Sequence, residues 1–266
     1  MVGARKVVLA LEGPFLYPCD LLTLIKERRT IRVDFQPRRI SKKDLRFLLE
    51  AARWAPSGHN LQPWEFIAVQ EEQMKKKIAQ STMSVIEEIL RDPEKLKKTF
   101  GSYFKWFYKD RRIAIAKGYG LYGTETPAYL REEITPDVIE ELRRSGEKYC
   151  ERLERSPLLL VTLLGRKRVP PNISSGLISL TSVGGALQNI RLAAAAKGIG
   201  CQDAARPIDT VEGRQRLKQI LKVPAEYDIV STMRLGYVNP KLRNIYYTRF
   251  RIALDDILHY DIFRRD

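Results

Sequence analysis

The sequence predicts a mixed fold in which helices outnumber strands, because helical patterns are more numerous than strand patterns and the two do not alternate regularly. Three short runs have the aliphatic, β-branched and aromatic content of strands, namely Trp64–Val69, residues 158–164 and Tyr227–Tyr237. Several longer segments have apolar residues at helical spacing. A doubly wound parallel fold requires alternating strands and helices, so the pattern disfavours that class. At 266 residues, the chain is long enough to bury a substantial core.

Capping residues mark several of the predicted helix ends. Ser41 and Asp44 resemble a capping box that opens the second helix, which ends before Pro56. Thr135 is the predicted N-cap of the fourth helix, and Gly198 ends the fifth. The predicted helices cover residues 21–28, 42–55, 71–91, 135–154, 177–197 and 209–221.

The second strand candidate, residues 158–164, is almost continuously apolar. Strands that are covered on both faces have such runs, whereas half-exposed strands alternate between apolar and polar residues. We therefore predict a central position in the sheet for this strand.

Charge and cysteine content restrict the class of protein. The formal net charge is +15, from 47 basic and 32 acidic side chains. Because this excess is spread along the chain, a solvated surface rich in ion pairs is favoured over a nucleic-acid partner. Three widely spaced cysteines indicate neither a disulfide framework nor a zinc site, and they fit a reducing compartment. No apolar run approaches the length of a membrane span, so we predict a cytoplasmic protein without a membrane contact.

The middle of the chain differs from the rest. We interpret residues 81–147 as an insertion within a single domain, 1–266. Within it, residues 99–129 interleave aromatic side chains with lysines and arginines. This mixture suits a lid over a planar substrate, a surface that stacks single-stranded bases, or packing onto a partner subunit. The sequence leaves these alternatives open.

A compact set of hydrogen-bond donors lies at the end of the first predicted helix. Arg28, Arg29, Thr30 and Arg32 place three guanidinium groups and a hydroxyl within five residues. Arginine binds phosphate through two parallel hydrogen bonds and remains charged at any usable pH. The alternative is a solvated helix end, where basic side chains also interact favourably with the helix dipole.

The loop from Pro56 to Pro63 favours a ligand site. Ser57, Asn60 and Gln62 supply donors and acceptors that suit the polar edge of a buried heterocycle. Gly58 permits a close backbone approach. A simple turn would explain the small and amide residues, but it does not explain a Gln-Pro-Trp that leads into a strand. A flavin mononucleotide combines a phosphate with a heterocycle of this kind.

With these two motifs, the chain resembles the FMN-dependent nitroreductase family. Members open with a helix that ends in an Arg-Arg-Ser-x-Arg-like motif, and here Thr30 replaces the serine within residues 28–32. A Pro-Ser-x-x-Asn-x-Gln-Pro-Trp loop follows, here residues 56–64. Further similarities are the central helix with its following glycines at residues 183–200, a Leu-Gly-Tyr at 235–237, and a closing basic pair, Arg249 and Arg251.

The resemblance implies a three-layer α/β/α fold of the α+β class, with a mixed, mainly antiparallel sheet flanked by helices. It also implies a homodimer in which a C-terminal extension reaches the partner and FMN lies at the subunit interface. The loop residues would come from the other subunit. The implied cofactor-binding residues are Arg28, Arg29, Thr30, Arg32, Pro56, Ser57, Gly58, Asn60, Gln62, Arg249 and Arg251.

Weaker implications concern other positions. Residues 201–204 lie where the family supplies backbone contacts near flavin N5, and Arg152 is a candidate phosphate or ribityl contact. His59 is a structural hydrogen-bonding residue or a catalytic one, and no partner base for it is visible in the sequence.

The activity that the resemblance implies is an NAD(P)H-driven, two-electron reduction of a small, planar or aromatic acceptor by a ping-pong mechanism through flavin N5. The electron donor would be NADH or NADPH, and no side chain need act as acid or base. The alternatives are flavin fragmentation, dehydrogenation or reductive dehalogenation on the same fold, or a basic nucleic-acid-binding protein.

Overall fold

The computed structural model describes residues 21–92, 94–97, 134–169, 173–239, 254 and 257–263. The chain divides into two compact units. The first comprises Met1–Val85 and Gly146–Arg243, and the second comprises Ile86–Ser145 and Asn244–Asp266. The second unit takes in most of the segment interpreted as an insertion, and the role of that segment stays a prediction.

The described elements follow the predicted order, with one additional strand. They are α1 (Leu21–Glu27), α2 (Lys42–Arg53), β1 (Trp64–Val69), α3 (Glu72–Arg91), α4 (Pro136–Glu154), β2 (Leu158–Gly165), α5 (Ile173–Ala196), β3 (Ile199–Asp203), α6 (Val211–Ile220) and β4 (Tyr227–Tyr237). Short 3₁₀ turns cover Gly58–Asn60, Arg166–Arg168 and Arg206–Ile208.

The four described strands form one sheet in the order β1-β2-β4-β3. Each pair of neighbouring strands is antiparallel. All eight residues of β2 are buried, and the strand lies between β1 and β4, so its predicted central position is confirmed. Among the residues that the structure describes, a single parallel bridge, between Thr30 and Cys201, makes the sheet mixed but mainly antiparallel.

Strand β3 was not predicted from the sequence, which indicated only backbone contacts in this region. It has five residues, and Gly200 interrupts its apolar pattern. A Cβ added at Gly200 would lie 2.6 Å from Val238, 2.7 Å from Ile31 and 2.9 Å from Phe35. Glycine is therefore required here by the close approach of residues 31–35, a long-range contact that a local pattern does not reveal.

The predicted caps of α2 and α5 are confirmed. The Asp44 amide donates to Ser41 Oγ at 3.0 Å, and the Ser41 hydroxyl donates to Asp44 Oδ2 at 2.8 Å. At the end of α5, Gly198 has a φ of 67°, the left-handed conformation that glycine adopts readily after a helix.

Two predicted helix starts differ from the structure by two residues or more. Helix α5 begins at Ile173 rather than at residue 177. Helix α6 begins at Val211 rather than at residue 209, because Thr210 is its N-cap and accepts the Gly213 amide at 2.9 Å.

The main core lies between one face of the sheet and helices α2 and α5. It includes Leu48 of α2, Leu160 of β2, Ile190 of α5, and Met233 and Leu235 of β4. An apolar helix that is buried on several sides is expected at such a central position, and α5 contacts α2, β2 and β3.

On the opposite face of the sheet, β4 and α3 both contact Ser156, which follows α4. Arg234 of β4 donates to Ser156 Oγ at 2.7 Å, just beyond the end of α4. Lys75 of α3 donates to the Ser156 carbonyl at 2.7 Å. The α+β fold with helices on both faces of the sheet agrees with the expectation. No helix among the described residues is long and apolar enough to cross a membrane.

Candidate active site

The arginine-rich segment that follows α1 is fixed against β3. Thr30 forms the parallel bridge with Cys201, and the Ile31 amide donates to the Cys201 carbonyl at 2.9 Å. Ile31 is 4% exposed and anchors the segment in the core. The backbone of residues 30–31 therefore has a defined position beside the sheet, and the neighbouring arginines extend from it.

The three guanidinium groups of this segment have different surroundings. Arg29 Nη1 donates to the Lys26 and Arg28 carbonyls, so this side chain caps the end of α1. Arg28 is half-buried and Arg32 is exposed. Burial raises the pKa of the Cys201 thiol to about 12, and the charge of Arg28 is near enough to oppose this rise.

The amide-rich loop adopts an unusual backbone conformation. His59, Asn60 and Gln62 have φ values of 50°, 55° and 45°, and among the described residues only two other non-glycine residues have positive φ. Asparagine enters this left-handed region readily, whereas histidine and glutamine do so at higher cost. Such a conformation persists only when surrounding contacts hold it.

Several contacts within unit 1 hold the loop. Ser57 Oγ accepts the Gln62 amide at 3.0 Å, which closes the loop on itself. The Gly165 amide donates to the Pro63 carbonyl at 2.9 Å and fixes the loop exit against β2. At Gly58, an added Cβ would lie 2.7 Å from Cγ2 of Ile178 in α5, so glycine is required by this approach.

The two amide side chains of the loop are paired with each other. Gln62 Nε2 donates to Asn60 Oδ1 at 3.1 Å. Among the described residues, this bond leaves Asn60 Nδ2 as a donor and Gln62 Oε1 as an acceptor without a partner. Asn60 is exposed and Gln62 is half-buried, so a ligand can reach both groups. The loop thus presents one donor and one acceptor side by side.

Sequence reasoning missed a cationic contact on the same loop. Arg168, in the 3₁₀ turn after β2, donates through Nη1 to the Gln62 carbonyl at 3.0 Å. Its Nη2 lies 3.3 Å from Glu65 Oε1. The only signal in the sequence was the run of three basic residues directly after the central strand.

The buried side chain of Arg234 in β4 holds Gln202 of β3 in place. Arg234 is 2% exposed, and its Nη1 donates to Gln202 Oε1 at 2.6 Å. Its guanidinium lies over the Phe35 ring at 5.0 Å. Burial lowers the pKa of Arg234 to about 10, and the nearby charge of Arg152 contributes. Arg152, an expected cofactor contact, therefore lies close to this buried arginine.

The remaining predicted residues have separate outcomes. Arg249, Arg251 and the aromatic segment 99–129 lie outside the described residues. Pro56 and His59 are exposed on the loop. Helix α1, which directly precedes the arginine-rich segment, and the loop's 3₁₀ turn both contact α5. No group of three or more metal-ligating side chains occurs among the described residues.

The family profile described as Nitroreductase family matches residues 25–237, about four fifths of the chain. The chain belongs to the nitroreductase family. The match includes the arginine-rich segment and the loop, but it ends before Arg249 and Arg251.

Curated relatives within the nitroreductase family align over short segments. An Archaeoglobus fulgidus protein, named as a candidate NADH dehydrogenase/NAD(P)H nitroreductase, is 44% identical over 62 residues, which cover 23% of this chain and 35% of that protein. The iodotyrosine deiodinase of Thermotoga neapolitana is 41% identical over 58 residues, which cover 22% of this chain and 31% of that protein. The aligned part of the chain thus spans about a third of the length of these relatives.

Solved structures support the fold over nearly the whole chain. An iodotyrosine deiodinase bound to FMN and 3-iodo-L-tyrosine aligns with a TM-score of 0.56 and 21% identity, covering 92% of this chain and all of that chain. At this identity the likeness establishes the nitroreductase fold and leaves the chemistry to the site itself.

Proposed function

We propose that the protein is an FMN-dependent oxidoreductase that uses NADH or NADPH to reduce a small planar or aromatic acceptor. The observation that carries this proposal is the loop of residues 57–62, which is held in a costly conformation and presents an unpaired donor and acceptor. A binding loop is the kind of site at which such strain is retained.

The donor set fits the two ends of FMN. Asn60 Nδ2 and Gln62 Oε1 match the pyrimidine edge, which has carbonyl acceptors and a ring N–H donor. At the other end of the site, Arg28 and Thr30 would supply charge-assisted hydrogen bonds to the phosphate, and Arg32 would lie near the ring. Arg29 would support the phosphate site indirectly, because its guanidinium donates to the Lys26 and Arg28 carbonyls and holds the end of α1. We expect Arg249 and Arg251 to join the phosphate site, as the family resemblance implies.

When bound, FMN supplies the redox chemistry, accepting a hydride from the nicotinamide and passing two electrons to the acceptor. The side chains of this protein bind and orient the rings. Arg28 and Arg32 provide positive charge that favours an anionic ligand and would stabilise negative charge that develops near them.

We also propose a homodimer in which the loop of one subunit completes the cofactor site of the other. The support is a set of exposed apolar side chains on α1 and on the first half of α5, two helices that contact each other. Leu21 of α1 is 66% exposed, and Leu177 and Ile178 of α5 are 68% and 50% exposed. Exposed apolar surface of this kind marks an interaction site. Light scattering at micromolar concentration tests the dimer, and a monomer would contradict it.

The visible absorption spectrum of the purified protein tests the proposal. We expect oxidised-flavin bands, after FMN addition if the protein loses its cofactor during purification. These bands should bleach when NADH or NADPH is added without oxygen. Bands that persist with both donors would require a different reductant. A protein that takes up no FMN would contradict the proposal.

Reductive dehalogenation of an aromatic substrate is a second candidate reaction. It is favoured by the 41% identity with the Thermotoga neapolitana deiodinase over 58 residues. Release of iodide from 3-iodo-L-tyrosine by the reduced protein would support it. Turnover of nitroaromatic acceptors without iodide release would favour the first candidate.

A nucleic-acid partner is disfavoured by the pairing of surface cations. Arg166, Lys167 and Arg168 form a basic run, yet each has a carboxylate within 4.0 Å. Binding to mixed-sequence DNA with a steep salt dependence would contradict the absence of a nucleic-acid partner.

Cys150 and Cys201 are buried free thiols, which fit a reducing compartment such as the cytoplasm.

A further inference from the structure

We propose that Arg168 is a positioning residue that fixes the backbone of Gln62, and that it thereby sets the geometry of the amide pair that meets the flavin. This inference rests on the proposed function, because it assigns the loop to flavin binding. Arg168 lies outside both motifs of the resemblance.

The geometry of Arg168 links the loop to β1. Its Nη1 donates to the Gln62 carbonyl at 3.0 Å, and its Nη2 lies 3.3 Å from Glu65 Oε1. One planar guanidinium therefore spans the loop exit and the second residue of β1. Because the guanidinium is rigid, the two bonds together restrict the orientation of the Gln62 carbonyl.

A tyrosine holds Glu65 in place for this contact. The hydroxyl of Tyr227, the first residue of β4, donates to Glu65 Oε1 at 2.8 Å. This hydrogen bond raises the pKa of Tyr227, because it stabilises the neutral phenol beside a carboxylate. The ring of Tyr227 also lies beside Gly165, where an added Cβ would be 3.2 Å from Cε1. Arg168 is thus braced by β1 and by the start of β4.

Arg168 contacts the backbone at a residue in a strained conformation. Gln62 has a φ of 45°, in a region that disfavours glutamine. Its amide is held by Ser57 Oγ and its carbonyl by Arg168, so both sides of the strained residue are fixed. This backbone position orients the Gln62 side chain, whose Nε2 donates to Asn60 and whose Oε1 is available for a ligand. Removing Arg168 would release the carbonyl side of Gln62.

An exposed ion pair alone would not justify a functional role. Arg168 and Glu65 have side-chain exposures of 47% and 40%, and such pairs contribute little to stability. Arg166 provides a matched comparison in the same 3₁₀ turn. It forms two 2.7 Å bonds with Asp228, its side chain is 63% exposed, and none of its side-chain bonds reaches the loop. Any effect specific to Arg168 therefore arises from its contacts with Gln62 and Glu65.

The test compares full-length Arg168→Ala, Arg168→Lys and Arg166→Ala proteins. Hydrogen exchange of the peptide that contains residues 57–63 is measured first. The rate of FMN release on dilution and the shape of the bound flavin's visible band are measured next. We expect Arg168→Ala to exchange faster in this peptide, to release FMN about tenfold faster and to alter the visible band. Arg166→Ala should match the unmodified protein in all three.

The lysine variant separates positioning from charge. One ammonium group cannot hold both acceptors in the geometry of a guanidinium, so Arg168→Lys should behave like Arg168→Ala. Full restoration by lysine would overturn the positional argument. Equal exchange in the Arg168→Ala and Arg166→Ala proteins would also overturn it, as would faster exchange without any change in FMN release or in the visible band.

Failure of the proposed function gives a different result. If the unmodified protein takes up no FMN, the oxidoreductase assignment falls and the link to the flavin falls with it. The hydrogen-exchange comparison still decides whether Arg168 fixes the loop.

Discussion

The hydroxyl of Tyr237 donates a 2.6 Å hydrogen bond to Asp44 Oδ2, joining the end of β4 to the first turn of α2. Asp44 also accepts the Ser41 hydroxyl and lies 3.8 Å from Lys197 Nζ. Burial alone would raise the pKa of Asp44, but the hydrogen bonds from Tyr237 and Ser41 and the charge of Lys197 hold it below the usual value. A single carboxylate thus connects α2, the sheet and the residue that follows α5.

Removing the Tyr237 hydroxyl should destabilise the protein at neutral pH. We expect Tyr237→Phe to lower the free energy of unfolding by about 1.5 to 3 kcal/mol, the range for a hydrogen bond to a charged group. Urea unfolding at pH 7 measures this. Tyr260→Phe is the control, because Tyr260 is 76% exposed. Equal stability of the two variants would contradict the role of the Tyr237 hydroxyl.

The Tyr237–Asp44 pair should also make the stability of the protein depend on pH in the acidic range. Because the pKa of Asp44 is lower in the folded protein than in the unfolded chain, its contribution is complete above about pH 4 and is lost as the pH falls through the folded pKa. The difference in stability between the unmodified protein and Asp44→Asn should therefore decrease below pH 4. A constant difference from pH 7 to pH 3 would show that the carboxylate charge is not involved.

Much of the fold was predictable because its signals are local. The Ser41 and Asp44 cap, the Gly198 stop and the apolar run of β2 each lie within a few residues of the chain, and the structure confirms all three. In the candidate site, the sequence identified the residue types of the loop. Its left-handed conformation at His59, Asn60 and Gln62 had no signal beyond Gly58 and Pro63.

The missed features depend on contacts between distant residues. Arg168 and Gln62 are 106 positions apart, so a basic turn and an amide loop show no relation in the sequence. Strand β3 requires pairing with β4 and a glycine that admits Phe35. Arginine usually lies at the surface, yet Arg234 is buried and donates hydrogen bonds to Ser156 and Gln202. Tertiary packing, which a local pattern does not contain, decides each of these cases.

The buried amine of Lys75 should make stability rise with pH in the alkaline range. Lys75 is 6% exposed, and burial lowers its pKa. Between this lowered pKa and the unfolded value of about 10.4, the unfolded chain binds more protons, so stability increases with pH. The stability advantage of the unmodified protein over Lys75→Met should therefore grow from pH 8 to pH 10. The exposed neighbour Lys76 supplies the control, and a Lys76→Met difference that changed equally would assign the effect elsewhere.

The two described cysteines should resist thiol reagents in the folded protein. Burial raises the pKa of Cys150 to about 11 and that of Cys201 to about 12, so the reactive thiolate is scarce at pH 8. Labelling at pH 8 followed by peptide mass spectrometry should find both thiols unmodified in native protein and modified in denaturant. Rapid native labelling of Cys201 would contradict its packing beside Thr30.

Substitutions of two arginines that follow α1 should affect different properties of bound FMN, namely its affinity and its reduction potential. If Arg28 contacts the phosphate, Arg28→Ala should weaken FMN binding by about 1.5 to 3 kcal/mol, or roughly 10- to 150-fold. If Arg32 lies near the ring edge where negative charge develops, Arg32→Ala should instead lower the reduction potential of bound FMN, because positive charge stabilises the reduced, anionic form. Flavin titration and a dye-equilibrium potential measure the two effects. Arg53→Ala is the control, since Arg53 is an exposed arginine paired with Glu50 in α2. An Arg32→Ala protein that keeps FMN at an unchanged potential would remove Arg32 from the electrostatics of the ring, and unchanged affinity in Arg28→Ala would remove Arg28 from the phosphate site.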